Sequence, residues 1–239
     1  MLLCDLSLPS PEENLACDEA LLEACEEGGG DGVLRFWESS RYFVVVGYSN
    51  AVGREVNQDF CRTRSIPILR RCTGGGTVLQ GPGCLNYSLV LPINETGPLH
   101  SITATNDFVM ERHQAAIATS LLAPVQKQGC TDLAIGGLKF CGNAQRRRKL
   151  FLLFHGAFLL NMDLELMEKA LPMPSKQPGY RLGRSHKDFL MNLHVSAEQL
   201  KSALSKTWEA SEPMATVPYA TISRLVAEKY GQQEWNYKF

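Results

Sequence analysis

The stretch RRCTGGGTVLQGPG, residues 70–83, places three consecutive glycines between two arginines and an apolar segment. A glycine-rich turn lets the backbone approach a ligand closely, and in enzymes that ligand is often a phosphate. Guanidinium groups suit phosphate oxygens, so Arg70 and Arg71 favour a phosphate-binding turn. The chain contains neither a Walker A loop nor a dinucleotide fingerprint at this turn. A simple strand-to-strand turn that needs positive φ is the alternative.

A second motif, GGLKFCGNAQ at residues 136–145, carries a lysine between two apolar neighbours. Lys139 falls on a predicted short strand, and the residues after it are small or carry amides. Beside a phosphate-binding turn, such a lysine suits an anionic transition state; elsewhere it is an exposed strand lysine. The basic run at residues 145–149 is interpreted as a solvated hairpin connection, with attraction of an acidic protein partner as the alternative.

Composition limits the class of protein. The chain has 239 residues, of which 44% are hydrophobic and 21% charged, and its formal net charge is −1. This balance argues against a nucleic-acid binder that relies on bulk electrostatics. No apolar run approaches the ~20 residues that span a membrane, and the early residues turn acidic too soon for a secretory signal, so we expect a cytoplasmic protein. The eight cysteines form no C-x-x-C pair, which predicts reduced thiols rather than a zinc site.

The pattern of apolar residues predicts one α+β domain over residues 1–239, with hairpins sharing a sheet and helices packed against it. A helix begins at Ser10, where an N-cap candidate precedes proline and two acids. The remaining predicted helices are at 57–64, 105–122, 163–171, 196–210 and 218–230. Predicted strands are at 33–37, 42–47, 66–71 and 85–92, with a hairpin at 131–144 and a pair of strands at 150–162 bent near Gly156.

Taken together, RRCTGGGTVLQ, DLAIGGLKFCGNAQ and HGAFLLNMDL resemble the catalytic domain of lipoate–protein ligases, a family similar in architecture to biotin ligases and octanoyl/lipoyl transferases. Two separate motifs match in type and order, which makes the resemblance specific. It implies the α+β biotin/lipoate ligase fold with mixed and antiparallel sheets. The matching residues are Arg70, Arg71, Thr73, Gly74, Gly75, Gly76, Val78, Asp132, Leu133, Lys139, Gly142, Asn143, Ala144 and Gln145.

The resemblance also implies a reaction: a lipoate or octanoate molecule is activated by ATP as an acyl-adenylate and then joined to a lysine of a carrier protein. It implies that Lys139 is catalytic and lies over the adenylate, and that Arg70 holds the carboxylate or phosphate. Magnesium follows from ATP use, with Asp132 as a candidate ligand. The other implied substrate- and nucleotide-binding residues are Gly74, Gly75, Gly76, Val78, Asp132, Asn143 and Ala144. Candidate walls of the acyl-tail slot are Trp37, Val46, Gly47 and His155.

The implied partner is a lipoyl-carrier domain of the glycine-cleavage H protein or 2-oxoacid dehydrogenase E2 type. The sequence departs from the family pattern at Gln80, where ligases often have histidine. It also lacks the C-terminal accessory domain of many ligases, so a separate accessory polypeptide is a further expected partner. Two alternatives stay open. One is an ATP-independent acyltransferase with Cys130 as nucleophile; the other is a non-catalytic protein that binds lipoyl groups or lipoyl domains.

Overall fold

The computed structural model describes residues 1–239. Its helices are α1 (Pro11–Gly28), α2 (Val52–Glu55), α3 (Gln58–Thr63), α4 (Ile102–Leu121), α5 (Leu164–Ala170), α6 (His186–Phe189), α7 (Ala197–Thr207), α8 (Tyr219–Leu225) and α9 (Gln233–Asn236). Its strands are β1 (Leu2–Asp5), β2 (Val33–Trp37), β3 (Phe43–Val46), β4 (Ile68–Arg70), β5 (Val78–Gln80), β6 (Cys84–Pro92), β7 (Gln126–Gln128), β8 (Asp132–Ile135), β9 (Leu138–Arg147), β10 (Phe151–Leu159) and β11 (Glu212–Pro213).

The strands form two sheets. The large sheet has the order β11-β1-β2-β6-β10-β9-β8-β7, with parallel pairs at the β11-β1-β2 edge and antiparallel pairs from β2 onward. The small sheet has the order β4-β3-β5 and mixes one parallel with one antiparallel pair. The glycine turn joins β4 to β5, so it lies at the end of the small sheet.

Alternation along β6 distributes side chains to the two faces of the large sheet. Leu85, Tyr87, Leu89 and Leu91 pack into the core that contains residues of α4 and α7. Val90 packs into the core built around α1 and α8 on the other face. β6 is buried along almost its whole length, so both faces of this central strand are covered.

The same alternation leaves polar positions on the α1 side of the sheet. Cross-strand register aligns Arg35, Ser88, His155 and Ala144 in one row over β2, β6, β10 and β9. The next row on this face consists of Trp37, Asn86, Ala157 and Gly142. Apart from Trp37, these two adjacent rows carry small or polar side chains, and residues of both rows line a cavity in a face that is otherwise apolar.

Helix α1 covers this face, and its ends follow from local chemistry. Ser10 caps the helix by accepting from the Glu13 amide, while the Glu13 carboxylate accepts from the Ser10 amide, which makes a capping box. Pro11 occupies the first turn, and Gly29, at φ 72°, ends the helix.

The predicted α+β class is confirmed, and most predicted elements are present. The predicted pair of strands at 150–162 is wrong: residues 151–159 form the single strand β10, which passes straight through Gly156. Only Arg148 and Lys149 of the basic run fall in the predicted hairpin connection, since β9 extends to Arg147. Arg147 donates to the Leu99 carbonyl and Arg148 forms an ion pair with Glu23, so both side chains are bonded within the chain.

None of the helices combines the length and the apolar character that crossing a bilayer requires.

Candidate active site

A cavity of about 400 Å³ lies between the large sheet, the glycine turn and the segment 174–189. That volume is within the range of small-molecule sites. The two polar rows described above supply much of its lining from the large sheet. The predicted site residues that line it are Trp37, Gly75, Gly76, Val78, Cys130, Asp132, Lys139, Asn143, Ala144 and His155.

The glycine turn is held from its carbonyl side. Arg71, which is buried, donates through Nη2 to the carbonyls of Gly74 (2.5 Å) and Gly76 (2.8 Å). The Asn50 amide donates to the Gly75 carbonyl at 3.1 Å. Burial lowers the pKa of Arg71 to about 10, so the group stays cationic at neutral pH. All three glycine carbonyls are therefore fixed by side chains from within the protein.

The amides of the same glycines have no such partners. The N–H groups of Gly74, Gly75 and Gly76 make no hydrogen bond within the protein, and the three glycines are exposed. Gly75 has φ 89°, in the region that favours glycine, which permits this turn. A turn with fixed carbonyls and unpaired amides is an anion-binding arrangement. The donor set therefore fits the phosphates of a nucleotide.

A buried ion pair anchors the turn to the large sheet. Asp18 on α1 is 2.5 Å from Arg35 and 3.1 Å from Nδ1 of His155. Nε2 of His155 is 2.7 Å from the Thr73 hydroxyl, which also accepts from Arg71 Nε at 2.9 Å. Because the carboxylate only accepts, Nδ1 of His155 is the donor in its contact with Asp18. His155 lines the cavity as predicted, but both of its ring nitrogens are committed to positioning the turn.

The acid in this network stays ionised. Burial alone raises the pKa of Asp18, but Arg35 and His155 more than offset it and hold that pKa below its usual value. Neither Asp18 nor Thr73 was predicted as a site residue. A signal for Asp18 exists, since it falls three residues after Leu15 and four before Leu22, on an apolar face of α1.

Lys139 is held at the start of β9 by a carboxylate. Its Nζ lies 2.8 Å from Oδ1 of Asp132, and the Tyr180 hydroxyl donates to Oδ2 of Asp132 at 2.9 Å. Burial and the neighbouring Asp132 raise the pKa of Tyr180, so the phenol stays protonated and remains the donor. The lysine side chain is one-quarter exposed and lines the cavity, so its ammonium is available to an anion there.

Asn143 contributes structure at the cavity wall rather than a free amide. Its Oδ1 accepts from the Tyr87 hydroxyl at 2.5 Å, and its Nδ2 donates to the Thr131 carbonyl at 2.5 Å. Both functional groups are therefore engaged, which fixes the strand on which Ala144 lies.

Four predicted site residues do not line the cavity, and three of them have another role in the structure. Arg70 is fully buried and donates to the carbonyls of Gly47, Tyr48, Asn50, Trp235 and Asn236. The expected contact of Arg70 with a carboxylate or phosphate is therefore corrected: it ties the 47–50 loop to the 235–236 segment. Neighbouring residues at a strand end point to opposite sides, so Arg70 and Arg71 cannot both face the ligand.

Val46 and Gly47 are also corrected as walls of an acyl slot. Val46 is fully buried in the core of the small sheet, whereas Val45 lines the cavity. Gly47 packs against the glycine turn, where an added Cβ would lie 3.1 Å from the Gly75 carbonyl carbon. Gly74 lies in the turn but outside the cavity lining.

A smaller cavity of about 110 Å³ shares several wall residues with the first, including Val78, Lys139 and Ala157. The side chains found only around this smaller cavity are apolar: Leu79, Cys84, Phe140, Cys141, Leu159, Met167, Leu171 and Leu190. The site thus combines an anion-binding turn and a lysine with apolar walls.

The residues present do not form a magnesium site of their own. No group of three or more His, Cys, Asp or Glu side chains comes together in the chain. Asp132, the predicted candidate, has one oxygen paired with Lys139 and the other with Tyr180.

Comparison with known proteins identifies the family of the chain. Residues 10–215 match the family model of the lipoyl protein ligase A/B catalytic domain. The chain is 28% identical over 265 residues to octanoyltransferase LipM of Geobacillus kaustophilus, covering 95% of this chain and 94% of the relative.

Two solved structures share the fold. The bipartite lipoate protein ligase of Thermoplasma acidophilum, studied with its E2 lipoyl domain, superimposes with a TM-score of 0.84 at 25% identity, over 99% of this chain and 95% of that one. A lipoate-protein ligase A bound with ATP gives a TM-score of 0.84 at 25% identity, over 99% and 98% of the two chains. The chain is thus similar both to ligases and to a transferase.

Proposed function

The chain belongs to the family of lipoyl protein ligase A/B catalytic domains, and from that premise we propose that it is a lipoate–protein ligase. In this proposal it activates lipoate or octanoate with ATP and transfers the acyl group to one lysine of a lipoyl-carrier domain. The observation that carries the proposal is the glycine turn, whose carbonyls are fixed while its amides are unpaired, on the same cavity as Lys139. A cysteine-dependent transferase has no need of a nucleotide phosphate cradle.

The chemistry divides into two steps that this site can support. In the first, the carboxylate of the acid attacks the α-phosphorus of ATP, and pyrophosphate leaves. In the second, a neutral lysine amine of the carrier attacks the acyl carbon, and AMP leaves. Both steps develop negative charge on oxygens that the glycine amides and the Lys139 ammonium can stabilise. Loss of one such donor lowers the rate by about 10²–10³-fold.

The apolar walls fit the remaining parts of the substrates. Leu15, Trp37, Val45 and Val78 line the main cavity and suit an acyl tail. The smaller cavity with its apolar side chains suits the flat nucleotide base. A magnesium ion that accompanies the nucleotide would depend on the phosphates for most of its ligands, since both acids lining the cavity are already paired.

The proposed partner is a lipoyl domain of the E2 or H-protein type. It is supported by the similarity to a bipartite ligase studied with its E2 lipoyl domain. The same similarity supports a separate accessory polypeptide as a second partner.

An octanoyltransferase is the second candidate, favoured by the similarity to LipM and by Cys130. This thiol is exposed and lines the cavity two residues before Asp132. No side chain forms a hydrogen bond with its sulfur, so no adjacent base activates it in the way that nucleophilic cysteines require. Cys141 is buried, and burial raises the pKa of its thiol, which argues against it as a nucleophile.

The test offers two acyl donors to the same apo lipoyl domain and measures the product by intact-mass spectrometry. One reaction contains free lipoate with Mg-ATP, and the other contains octanoyl acyl carrier protein without ATP. We expect a mass gain in the first, a loss of about 10²-fold or more in rate for Lys139→Gln, and an unchanged rate for the surface control Lys187→Gln. A gain only in the second reaction, abolished by Cys130→Ser, would replace the ligase with the transferase. No gain in either, with an accessory polypeptide present, would favour a binding protein.

A further inference from the structure

Arg181 is a buried arginine in the segment that closes the cavity. It ends a short 3₁₀ turn, Gly179–Arg181, between α5 and α6, and only 4% of it is exposed. It lines both the main cavity and the smaller apolar one. Its guanidinium carbon lies 4.9 Å from the ring centroid of Phe189, which holds the group in a stacked position.

The hydrogen-bonding capacity of this guanidinium is largely unused. Nε donates to the Arg184 carbonyl at 2.9 Å, but the buried Nη2 has no partner. The nearby acid Glu168 is committed to the backbone amides of His186 and Lys187. Burial lowers the pKa of Arg181, as expected for a cation without a carboxylate in contact. A buried charged donor without a partner is costly, so the arrangement implies a ligand that completes it.

The other arginines at the site are already saturated. Arg70 is bonded to backbone carbonyls, and Arg71 to the carbonyls of the glycine turn and the Thr73 hydroxyl. Apart from Arg71, the lysines and arginines that line the cavity are Lys139, Lys176 and Arg181, and of these three only Arg181 is buried.

The backbone around Arg181 is preorganised. Leu182 and Gly183 have φ values of 54° and 70°, and this tight turn lets Arg184 Nε donate back to the Arg181 carbonyl at 3.1 Å. The two arginines therefore fix each other's main chain, and the Arg181 guanidinium is held at the junction of the two cavities.

We propose that Arg181 binds the α-phosphate of the nucleotide, an assignment that rests on the proposed ATP-dependent function. A nucleotide whose base fills the smaller cavity places its first phosphate at the junction where Arg181 lies. The planar fork of a guanidinium matches two phosphate oxygens, which a single ammonium cannot do. Arg181 supplies this contact together with the glycine amides and with Lys139, which also lines both cavities.

The test compares adenosine with AMP by isothermal titration calorimetry, so that the phosphate contribution is isolated from that of the base. In the wild-type chain we expect AMP to bind more tightly than adenosine. In Arg181→Gln we expect AMP affinity to fall about ten- to hundred-fold, as for loss of hydrogen bonds to a charged group, while adenosine affinity stays within about two-fold. Arg181→Lys should recover part of the AMP affinity. Arg54→Gln, an exposed arginine outside the site, should leave both affinities unchanged.

The possible failures can be told apart. If the wild-type chain binds AMP and Arg181→Gln binds it equally well, the role of Arg181 is wrong and the ligase proposal stands. If the wild-type chain binds neither adenosine nor AMP, the ligase proposal fails, and the phosphate-binding role of Arg181, which rests on it, fails as well. Octanoate is titrated in the same way. If Arg181→Gln weakens the binding of octanoate instead of AMP, the arginine holds the carboxylate and the phosphate assignment is overturned. Thermal unfolding of each variant confirms a folded state, and Arg181→Lys serves if the glutamine variant is unstable.

Discussion

Replacing Gly47 with alanine tests whether the position of the glycine turn controls activity from outside the cavity. Gly47 does not line the cavity, yet its α-carbon packs directly against the turn. A Cβ at this position would overlap the Gly75 carbonyl oxygen, lie 3.1 Å from its carbonyl carbon and 3.3 Å from Arg71 Nη2. The φ of Gly47 is not positive, so alanine meets no backbone penalty and the effect is steric alone.

The size of the effect follows from the overlap. The closest overlap is with the Gly75 carbonyl oxygen. A carbon and an oxygen in close contact lie about 3.3–3.6 Å apart, so the turn has to move by more than about 1 Å to admit the methyl group. Overpacking of this kind costs about 1–3 kcal/mol of stability. A displacement on the order of 1 Å in catalytic groups lowers the rate by about 10²-fold. We therefore expect Gly47→Ala to lose far more activity than its modest loss of stability explains.

The assay is the initial rate of lipoyl-domain acylation, measured beside urea unfolding. Gly53→Ala is the matched control, because its Cβ meets nothing closer than 4.0 Å and lies in helix α2. We expect the control to keep full activity and to gain about 0.5–1 kcal/mol in stability. Wild-type activity in a destabilised Gly47→Ala would refute the claim that this contact positions the turn.

Three further substitutions probe the supports of the site. Asp18→Asn leaves Arg35 buried without its carboxylate, so urea unfolding should show a loss of about 3–5 kcal/mol in the free energy of unfolding. Because the folded pKa of Asp18 is lowered, the stability that its carboxylate supplies is present above the unfolded pKa of about 3.9 and disappears as the pH falls through the folded pKa. The difference in stability between variant and wild type should therefore narrow below about pH 4, and a difference that stays constant would contradict this. Arg70→Gln removes the hydrogen-bond donors to five backbone carbonyls, so we expect a loss of about 2–4 kcal/mol in the free energy of unfolding and faster proteolysis near residue 235. Unchanged protease resistance would show that Arg70 does not hold the 235–236 segment against the 47–50 loop. Tyr180→Phe removes a hydrogen-bond donor to Asp132, so acylation should slow by several-fold while the midpoint of urea unfolding shifts little. Equal acylation rates for variant and wild type would show that the Tyr180–Asp132 hydrogen bond does not position the site.

The sequence predicted the fold well because its signals were local. The N-cap candidate at Ser10 and the strand at 85–92 are signals within single elements, and each appears where expected. The strand pair at 150–162 was wrong because an isolated glycine in a strand suggests a bend. Here the glycine lies within a straight strand and serves packing: a side chain at position 156 would collide with Asn143 and the Gly142 carbonyl on β9. A contact across the sheet decided the matter, and it is invisible along the chain.

Most of the residues that were predicted from a sequence motif line the cavity. Most of the residues that reach the cavity only through tertiary packing were not predicted. The glycine turn and Lys139 belong to motifs, and both line the cavity. Arg181 and Asp18 belong to none; only tertiary packing brings them to the same cavity. Arg70 was misassigned because residue type alone suggests a phosphate ligand, whereas its side chain lies on the face of the strand turned away from the cavity.

In the proposed mechanism, the protein transfers an acyl group from an adenylate to the lipoyl domain without an acyl-cysteine intermediate. The most direct test supplies chemically prepared lipoyl-adenylate to the chain and an apo lipoyl domain, and follows both masses over time. We predict that wild type and Cys130→Ser acylate the lipoyl domain at similar rates, that Lys139→Gln is slower by about 10²-fold or more, and that the enzyme's own mass never changes. An acylated enzyme that forms before the product and disappears in Cys130→Ser would contradict the account.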